Sequence, residues 1–229
     1  MWPPTAAALV RAQRELAALS PPPWRPGRSR PLVAGCYVCF ARGAPGPGRA
    51  RERGWAAAVL MRDERLIQGV VVAGEPGAPY EPGLLALREG PLLEAAVRAL
   101  AEPPEVLIVH AAGRDHPRAA GLALQLGSVL DVPSIGVTDR PLQANGAEPG
   151  PERGQTSRLL RNGVEAARML RSRAGARPIV VHPGWRTDLE TAVSVALAST
   201  RHVRTPEPLR RARSLARRAR AAAEAGRRG

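Results

Sequence analysis

The sequence contains no lysine, so each of its 34 basic residues is an arginine. Set against 20 acidic residues, the arginines leave a net charge of +14. Guanidinium groups pair bidentately with phosphates and release counterions on binding, so this balance favours a polyanionic partner such as nucleic acid. A GC-rich coding sequence would also favour Ala, Arg, Gly and Pro over lysine, and part of the excess has that simpler explanation.

Cysteines and long hydrophobic runs are also scarce. Cys36 and Cys39 lie three residues apart on a predicted strand, where side chains alternate between faces, so they cannot easily form a clip and are predicted to be buried thiols. No run of 18 apolar residues occurs, which excludes a typical transmembrane helix, and residues 1–20 do not have the layout of a signal peptide. We therefore expect a cytoplasmic protein without a membrane partner.

Hydrophobic residues make up 44% of the 229 residues, enough for one sizeable core, and we expect one domain over residues 1–229. Its arginine-rich end, residues 207–229, is predicted to form a helix or a tail. The other predicted helices are 5–19, 89–102, 116–132 (ended before Pro133) and 187–200, the last with Thr187 as N-cap and Glu190 in a capping box. The predicted strands are 32–40, 55–62, 66–74, 105–110, 134–138 and 177–184. A hairpin is predicted around Asn162-Gly163, with an ambiguous second arm.

This order of elements predicts the fold class. Three consecutive strands separated by a loop and a short turn indicate an antiparallel meander, and helices and strands alternate after it. We therefore expect an α/β fold in which a mixed sheet is covered by helices, in the order of the ribonuclease H-like fold.

Several segments of the chain carry a resemblance to a known family. They are PYEPGLLALREGP (79–91), GRDHPRAAGLA (113–123), LDVPSIGV (130–137), HPGWR (182–186), LETA (189–192) and TPEPLRRA (205–212). Together, and in this order, they resemble endonuclease V over residues from about 5 to about 215. The resemblance implies a ribonuclease H-like fold, recognition of hypoxanthine in DNA or RNA, and cleavage of a nearby phosphodiester with magnesium or manganese.

The resemblance assigns the nucleic-acid-binding residues to a wedge, a base pocket and an HPR motif. In the wedge, a rigid turn carries an aromatic ring that replaces the stacking of a flipped nucleotide. The HPR motif places a histidine near the scissile bond and an arginine near phosphates. The residues are Pro79, Tyr80, Pro82 and Gly83 for the wedge, Leu85, Gly113, Gly121 and Leu142 for the pocket and its surroundings, and His116 and Arg118 for the motif.

The positions that the resemblance assigns to cutting are substituted. Magnesium prefers carboxylate oxygens, but Tyr37 and His110 stand where the family has aspartates, and Thr138-Asp139 stands where it has a lysine. A phenol and an imidazole are poor magnesium ligands. We therefore expect the chain not to cut by the usual two-metal route. The catalytic candidates are Tyr37, Glu89, His110, His116 and Asp139, and the candidate metal ligands are the retained Glu89 and the late acid Glu190.

Four interpretations follow from this pattern. The chain is a nucleic-acid-binding protein that recognises a flipped or modified base and needs no metal, or it is a metal-free enzyme that excises the flipped base with Tyr37, Glu89, His110 and Asp139. Alternatively, it is a residual nuclease with Glu89, His110 and Glu190 around manganese or zinc. The fourth interpretation is a structural or partner-binding protein whose basic surface reflects codon usage.

Overall fold

The computed structural model describes residues 2–27, 30–42, 48–49 and 52–226. Its strands form one eight-stranded mixed sheet in the order β3-β2-β1-β4-β5-β8-β7-β6. The elements, in chain order, are α1 (Ala6–Ala18), β1 (Leu32–Phe40), β2 (Gly54–Arg62), β3 (Arg65–Gly74), α2 (Leu85–Arg98), β4 (Val106–Val109), α3 (Leu122–Leu130), β5 (Ser134–Thr138), β6 (Thr156–Arg161), β7 (Val164–Leu170), β8 (Ile179–Pro183), α4 (Leu189–Ala198) and α5 (Glu207–Ala225).

The strand pairing confirms the predicted ribonuclease H-like fold. β1, β2 and β3 form the antiparallel meander, and β1, β4 and β5 run parallel. At the far edge, Asn162 and Gly163 both have positive φ, as a two-residue hairpin turn requires, so the ambiguous arm is strand β7. Because β1, β4 and β5 are parallel, their carboxyl ends meet at one edge of the sheet, where ligands of open α/β sheets bind.

Hydrophobic residues cover both faces of the sheet. On one face, Leu60 and Leu107 pack with residues of α1, α2 and α3. On the other, Ile108 and Val181 pack with residues of α4 and α5. The two free cysteines are buried and belong to opposite faces, as predicted: Cys36 lies in the first cluster, and Cys39 packs against α5.

Two helices begin at different residues from those predicted. α2 begins at Leu85 and ends at Arg98, so Pro91 lies inside it and not in its first turn. α3 begins only at Leu122, because Ala119 has a left-handed φ of 54° and Gly121 is extended. The HPR motif is therefore a loop, which leaves its side chains free to reach other segments.

The N-cap of α4 is Asp188 and not Thr187. The Asp188 Oδ1 accepts a 2.8 Å bond from the amide of Thr191, whereas the Thr187 hydroxyl donates to the Ser134 carbonyl at 2.6 Å. Thr187 is thus used to join two loops, and the predicted capping box with Glu190 does not form. The arginine-rich segment is helical to Ala225, and residues 227–229 lie outside the described part of the chain. None of the described helices has the length and apolar character needed to cross a membrane.

Candidate functional site

A cavity of about 530 Å³ opens at the carboxyl ends of β1, β4 and β5. It brings together most of the residues that the sequence singled out, both for binding and for cutting. Those that line it are Tyr37, Tyr80, Pro82, Gly83, Leu85, Glu89, His110, His116, Gly121 and Leu142. Pro79, Gly113, Arg118, Asp139 and Glu190 are not among its lining residues.

Tyr37 and His110 lie side by side because β1 and β4 are parallel and in register. Cys36 pairs with Val109, so the next residue of each strand projects on the α5 face of the sheet. The two rings meet edge to face with centroids 5.8 Å apart. The Nε2 atom of His110 is buried and has no hydrogen-bond partner among the described residues. Burial and the charge of Arg213 lower the pKa of His110, so the imidazole is neutral.

Two arginines of α5 cover the ring of Tyr37. The guanidinium carbons of Arg213 and Arg217 lie 5.3 and 5.8 Å from the ring centroid, within the range of cation–π attraction. They are four residues apart and therefore share one face of the helix. Sequence analysis did not identify them, and the only available signal was their i, i+4 spacing in an arginine-rich helix. They place positive charge where a metal site would need carboxylates.

Glu89 projects from α2 towards the cavity. Burial raises its pKa to about 7, although the charge of neighbouring Arg88 acts in the opposite direction. Its carboxyl group accepts no hydrogen bond within the described part of the chain. Arg88 itself points away, forming a buried ion pair with Glu52 and donating to the Ala78 carbonyl at 3.1 Å. The cavity therefore contains a carboxyl group that is about half ionised at neutral pH.

The wedge turn is fixed through one carbonyl. Gly83 has a φ of +79°, and its carbonyl oxygen accepts from Gln13 Nε2 at 3.1 Å, His116 Nε2 at 3.2 Å and an Arg118 terminal nitrogen at 2.6 Å. Tyr80, three residues earlier, keeps 47% of its surface exposed. The clamp therefore holds the backbone and leaves the ring available. Sequence analysis missed Gln13, because nothing in the pattern of α1 distinguishes it.

His116 has both ring nitrogens engaged. Its Nδ1 accepts from the amide of Arg118 at 3.2 Å, so Nε2 carries the proton that is donated to Gly83. Burial and the adjacent Arg118 lower the pKa of His116 to about 4. It is therefore a neutral residue that positions the wedge, although it also lines the cavity. Arg118 shares the same task and does not line the cavity.

The opposite rim is held by Asp115, which sequence analysis also missed although it lies in the GRDHPR motif. Its buried carboxylate accepts backbone N–H bonds of 2.7, 2.8 and 2.8 Å from Leu142, Gln143 and Ala144. These bonds fix the loop that presents Leu142, which is 55% exposed, at the cavity mouth. Asp115 therefore positions Leu142, a predicted pocket residue, by binding the backbone of its loop.

Glycines set the floor of the cavity. The Gly121 amide donates to the Gly113 carbonyl at 2.8 Å. A Cβ on Gly113 would lie 2.1 Å from the Pro183 carbonyl oxygen, and one on Gly121 would lie 2.2 Å from that of Ala112. Both positions thus exclude any side chain. Gly113 supports the floor from beneath, and Gly121 forms part of its surface.

Asp139 and Glu190 lie outside the cavity. Asp139 pairs with Arg204 at 2.6 Å, and this hydrogen bond lowers the pKa of its carboxyl group. Glu190 pairs with Arg168 at 2.6 Å on the surface, with 76% of its side chain exposed. The predicted pairing of Glu190 with Glu89 around a metal is therefore not formed, because the first turn of α4 faces β7 and not the cavity.

The residues of the cavity do not fit a divalent metal ion. Within residues 2–27, 30–42, 48–49 and 52–226, no three His, Cys, Asp or Glu side chains are grouped closely enough to hold one. The cavity offers one carboxyl group of raised pKa from α2, together with a phenol and an imidazole from the edge of the sheet. Two guanidinium groups of α5 lie beside the phenol. Magnesium requires several hard, anionic oxygen ligands, and this donor set does not supply them.

Comparison with known proteins identifies the family. The family model for endonuclease V matches residues 26–214. An endonuclease V of Streptomyces avermitilis is 38% identical over 223 residues, covering 95% of this chain and 93% of the relative. The crystal structure of an endonuclease V from that organism is 36% identical, covers 97% of this chain and 96% of its own, and gives a TM-score of 0.87.

Two further endonuclease V proteins are similar to this chain, one compared by sequence and one by structure. An endonuclease V of Methanopyrus kandleri is 45% identical over 165 residues, which are 71% of each chain. An endonuclease V of Ciona intestinalis, solved with DNA containing an inosine, is 20% identical with a TM-score of 0.75, covers 93% of this chain and 96% of its own, and shares the fold. By its matched family model and by these identities over most of its length, the chain belongs to the endonuclease V family.

Proposed function

We propose that this protein binds nucleic acid containing a deaminated base, holds the extruded base in the cavity, and does not cut the backbone by a two-metal route. One observation carries the proposal. The wedge, the pocket positions and the carboxyl ends of the parallel strands meet in a single cavity of about 530 Å³, where Tyr37 lies beside His110 and beneath two arginines.

The binding half rests on pre-organisation. The three donors on the Gly83 carbonyl fix the turn, so Tyr80 can enter a base stack without first ordering its own backbone. The volume lies within the usual range for a small-ligand pocket, and the floor of small residues leaves room for a planar base. The net charge of +14 supplies the attraction to phosphates.

The loss of cutting rests on charge. Two-metal hydrolysis needs ions that activate water and stabilise the leaving oxygen. Tyr37 and His110 bring no negative charge to the edge of the sheet, and Arg213 brings positive charge within 5.3 Å of the Tyr37 ring. Each unit charge of the wrong sign at such distances opposes a divalent ion by about 1 kcal/mol or more. The proposed function therefore includes no metal-dependent step.

The test uses duplexes with one hypoxanthine or one adenine at the same position, incubated with magnesium, manganese or EDTA. We expect tighter binding of the hypoxanthine duplex in all three and no nicked strand on a denaturing gel. Tyr80→Ala should weaken that binding about tenfold or more through lost stacking, and Tyr80→Phe should retain it. Metal-dependent nicking that Glu89→Gln abolishes would overturn the proposal.

A second candidate function is supported by Glu89. A carboxyl group with a pKa of about 7 and no hydrogen-bond partner among the described residues is suited to general acid–base catalysis at neutral pH. In metal-free base excision, water would add to C1′ of the flipped nucleotide as the glycosidic C–N bond breaks. The departing base would keep the bonding electrons, and Glu89 would accept the proton of the water.

Release of the free base distinguishes this candidate. Chromatography of the supernatant from the EDTA reaction should then show hypoxanthine, and the product strand should be cleaved by hot alkali at the abasic position. Glu89→Gln should remove the release and leave binding unchanged. Glu148→Gln serves as the matched control, because Glu148 is an exposed acid that pairs with Arg171, does not line the cavity and should not affect the release.

A further inference from the structure

We propose that the edge of the sheet beside the cavity is a phosphate site, in which Arg213, Arg217 and His110 contact a backbone phosphodiester of the bound nucleic acid directly. This inference rests on the proposed function, since it names how the same cavity holds the backbone next to the extruded base. The observations that carry it are two unsatisfied buried nitrogens, the packing of α5, and the local charge.

The first observation concerns hydrogen bonding. The Nε atom of Arg213 and the Nε2 atom of His110 are buried, and neither has a partner among the described residues. A buried donor without a partner costs about 1–3 kcal/mol, so such groups usually have a ligand. Both flank the ring of Tyr37, which contacts the cavity. An anionic oxygen seated beside that ring would accept from Arg213 Nε and, with the ring proton on Nε2, from His110.

The second observation concerns how α5 is held. Gly35 has no side chain, and a Cβ there would lie 2.3 Å from the backbone of Pro208 and Leu209, so the start of α5 rests directly on β1. Tyr37 is two residues further along that strand. This close contact fixes the distance between α5 and the sheet. One helical turn after Leu209, Arg213 lies over the Tyr37 ring. The guanidinium groups are thus positioned by packing before any ligand arrives.

The third observation concerns charge pairing along α5. Arg210 and Arg211 both pair with Glu207, and Arg220 lies 3.9 Å from Glu224. Arg213 and Arg217 form no ion pair within the described part of the chain. The exposed Arg218 forms none among the described residues either, but only Arg213 and Arg217 lie over the Tyr37 ring, so these two are placed to bind an external anion beside it.

The chemistry of the site selects a phosphodiester. Guanidinium groups bind phosphate oxygens through paired N–H bonds, and stacking on an aromatic ring holds their planes in place. Glu89 and Asp139 are the nearby acids, and neither neutralises the site: the first has a pKa of about 7, and the second is paired with Arg204. Because Tyr37 also lines the base cavity, the phosphate concerned should belong to a nucleotide next to the extruded one.

The test determines whether Arg213 contacts one particular phosphate of the duplex. Hypoxanthine duplexes are made with a single uncharged methylphosphonate at successive positions around the base, and binding is measured by fluorescence anisotropy in EDTA. For the unmodified protein, we expect one position to weaken binding about tenfold, as the loss of a charged hydrogen bond implies. Arg213→Gln should weaken binding of the unmodified duplex by a similar factor and abolish the effect of that methylphosphonate.

Two further variants make the result decisive. Arg218→Gln, on the exposed side of the same helix, should lower the affinity only slightly and keep the methylphosphonate effect. Arg213→Lys retains the positive charge and serves as the conservative variant. Circular dichroism of each variant checks whether a loss of affinity reflects misfolding. If the methylphosphonate effect persists in Arg213→Gln, the phosphate site is refuted. If the hypoxanthine and adenine duplexes bind equally to the unmodified protein, it is the proposed base recognition that fails.

Discussion

Asp115→Asn provides a direct test of how the rim of the cavity is built. The buried carboxylate accepts three backbone N–H bonds, two at Oδ1 and one at Oδ2. In the variant, the remaining oxygen can keep the two bonds from Gln143 and Ala144. The new amide group then faces the N–H of Leu142, so one bond is lost and two donors oppose each other.

The size of the effect follows from these contacts. A hydrogen bond to a charged group contributes about 1.5–3 kcal/mol, and an unsatisfied buried donor costs about 1–3 kcal/mol. We therefore expect Asp115→Asn to lower the free energy of unfolding by about 2–4 kcal/mol. With a urea dependence of about 2 kcal/mol/M, the midpoint falls by about 1–2 M. If the loss is confined to the 142–144 loop, hypoxanthine-duplex binding should weaken while the midpoint moves less.

Tryptophan fluorescence in urea gives the midpoint, and anisotropy gives the affinity. Asp139→Asn is the matched control, because its carboxylate is 58% exposed and its surface ion pair should contribute less than about 1 kcal/mol. The role assigned to Asp115 is refuted if Asp115→Asn unfolds at the same urea concentration as Asp139→Asn and binds the duplex as well as the unmodified protein does.

Three other substitutions have defined outcomes. The folded pKa of Glu89, about 7, lies above its ordinary value of 4.5, so the free energy of unfolding falls as pH rises between these values. Glu89→Gln should therefore be more stable than the unmodified protein by about 3 kcal/mol at pH 8 but not at pH 4. Equal differences at both pH values would contradict this. Gln13→Ala should weaken duplex binding and cost about 1–3 kcal/mol, and unchanged binding would show that the clamp on Gly83 is unnecessary. Gly35→Ala should lower the melting temperature by several degrees, and an unchanged one would mean that α5 is not seated on β1.

Local sequence patterns were enough to predict most of the fold. The three strands of the meander, β5 and the Asn162-Gly163 hairpin agree with the structure, because alternating or continuous apolar runs and turn residues act within a few positions. The patterns failed where side chains bind backbone groups that are distant in the sequence. The HPR loop was predicted as helix, but His116 and Arg118 bind the Gly83 carbonyl more than thirty residues away.

The residues of the candidate site also fall into two groups, those that sequence motifs singled out and those that only the structure revealed. The motifs singled out residues that the structure brings together in one cavity, among them Tyr37, Tyr80 and His110, since each motif depends on a few residues of fixed spacing. They did not locate Gln13, which contacts Gly83 from 70 residues away, or Asp115 as the support of the 142–144 loop. They also placed Glu190 beside Glu89, whereas the structure pairs it with Arg168 on the surface.

The sequence by itself showed a tyrosine and a histidine where the resemblance to endonuclease V predicts carboxylates, and it contains arginine but no lysine. Only the tertiary structure decided which arginines stand over that tyrosine. The face that a helix presents to a sheet depends on how closely the two backbones approach. Because Gly35 has no side chain, α5 packs directly against β1, and Arg213 and Arg217 lie above the Tyr37 ring.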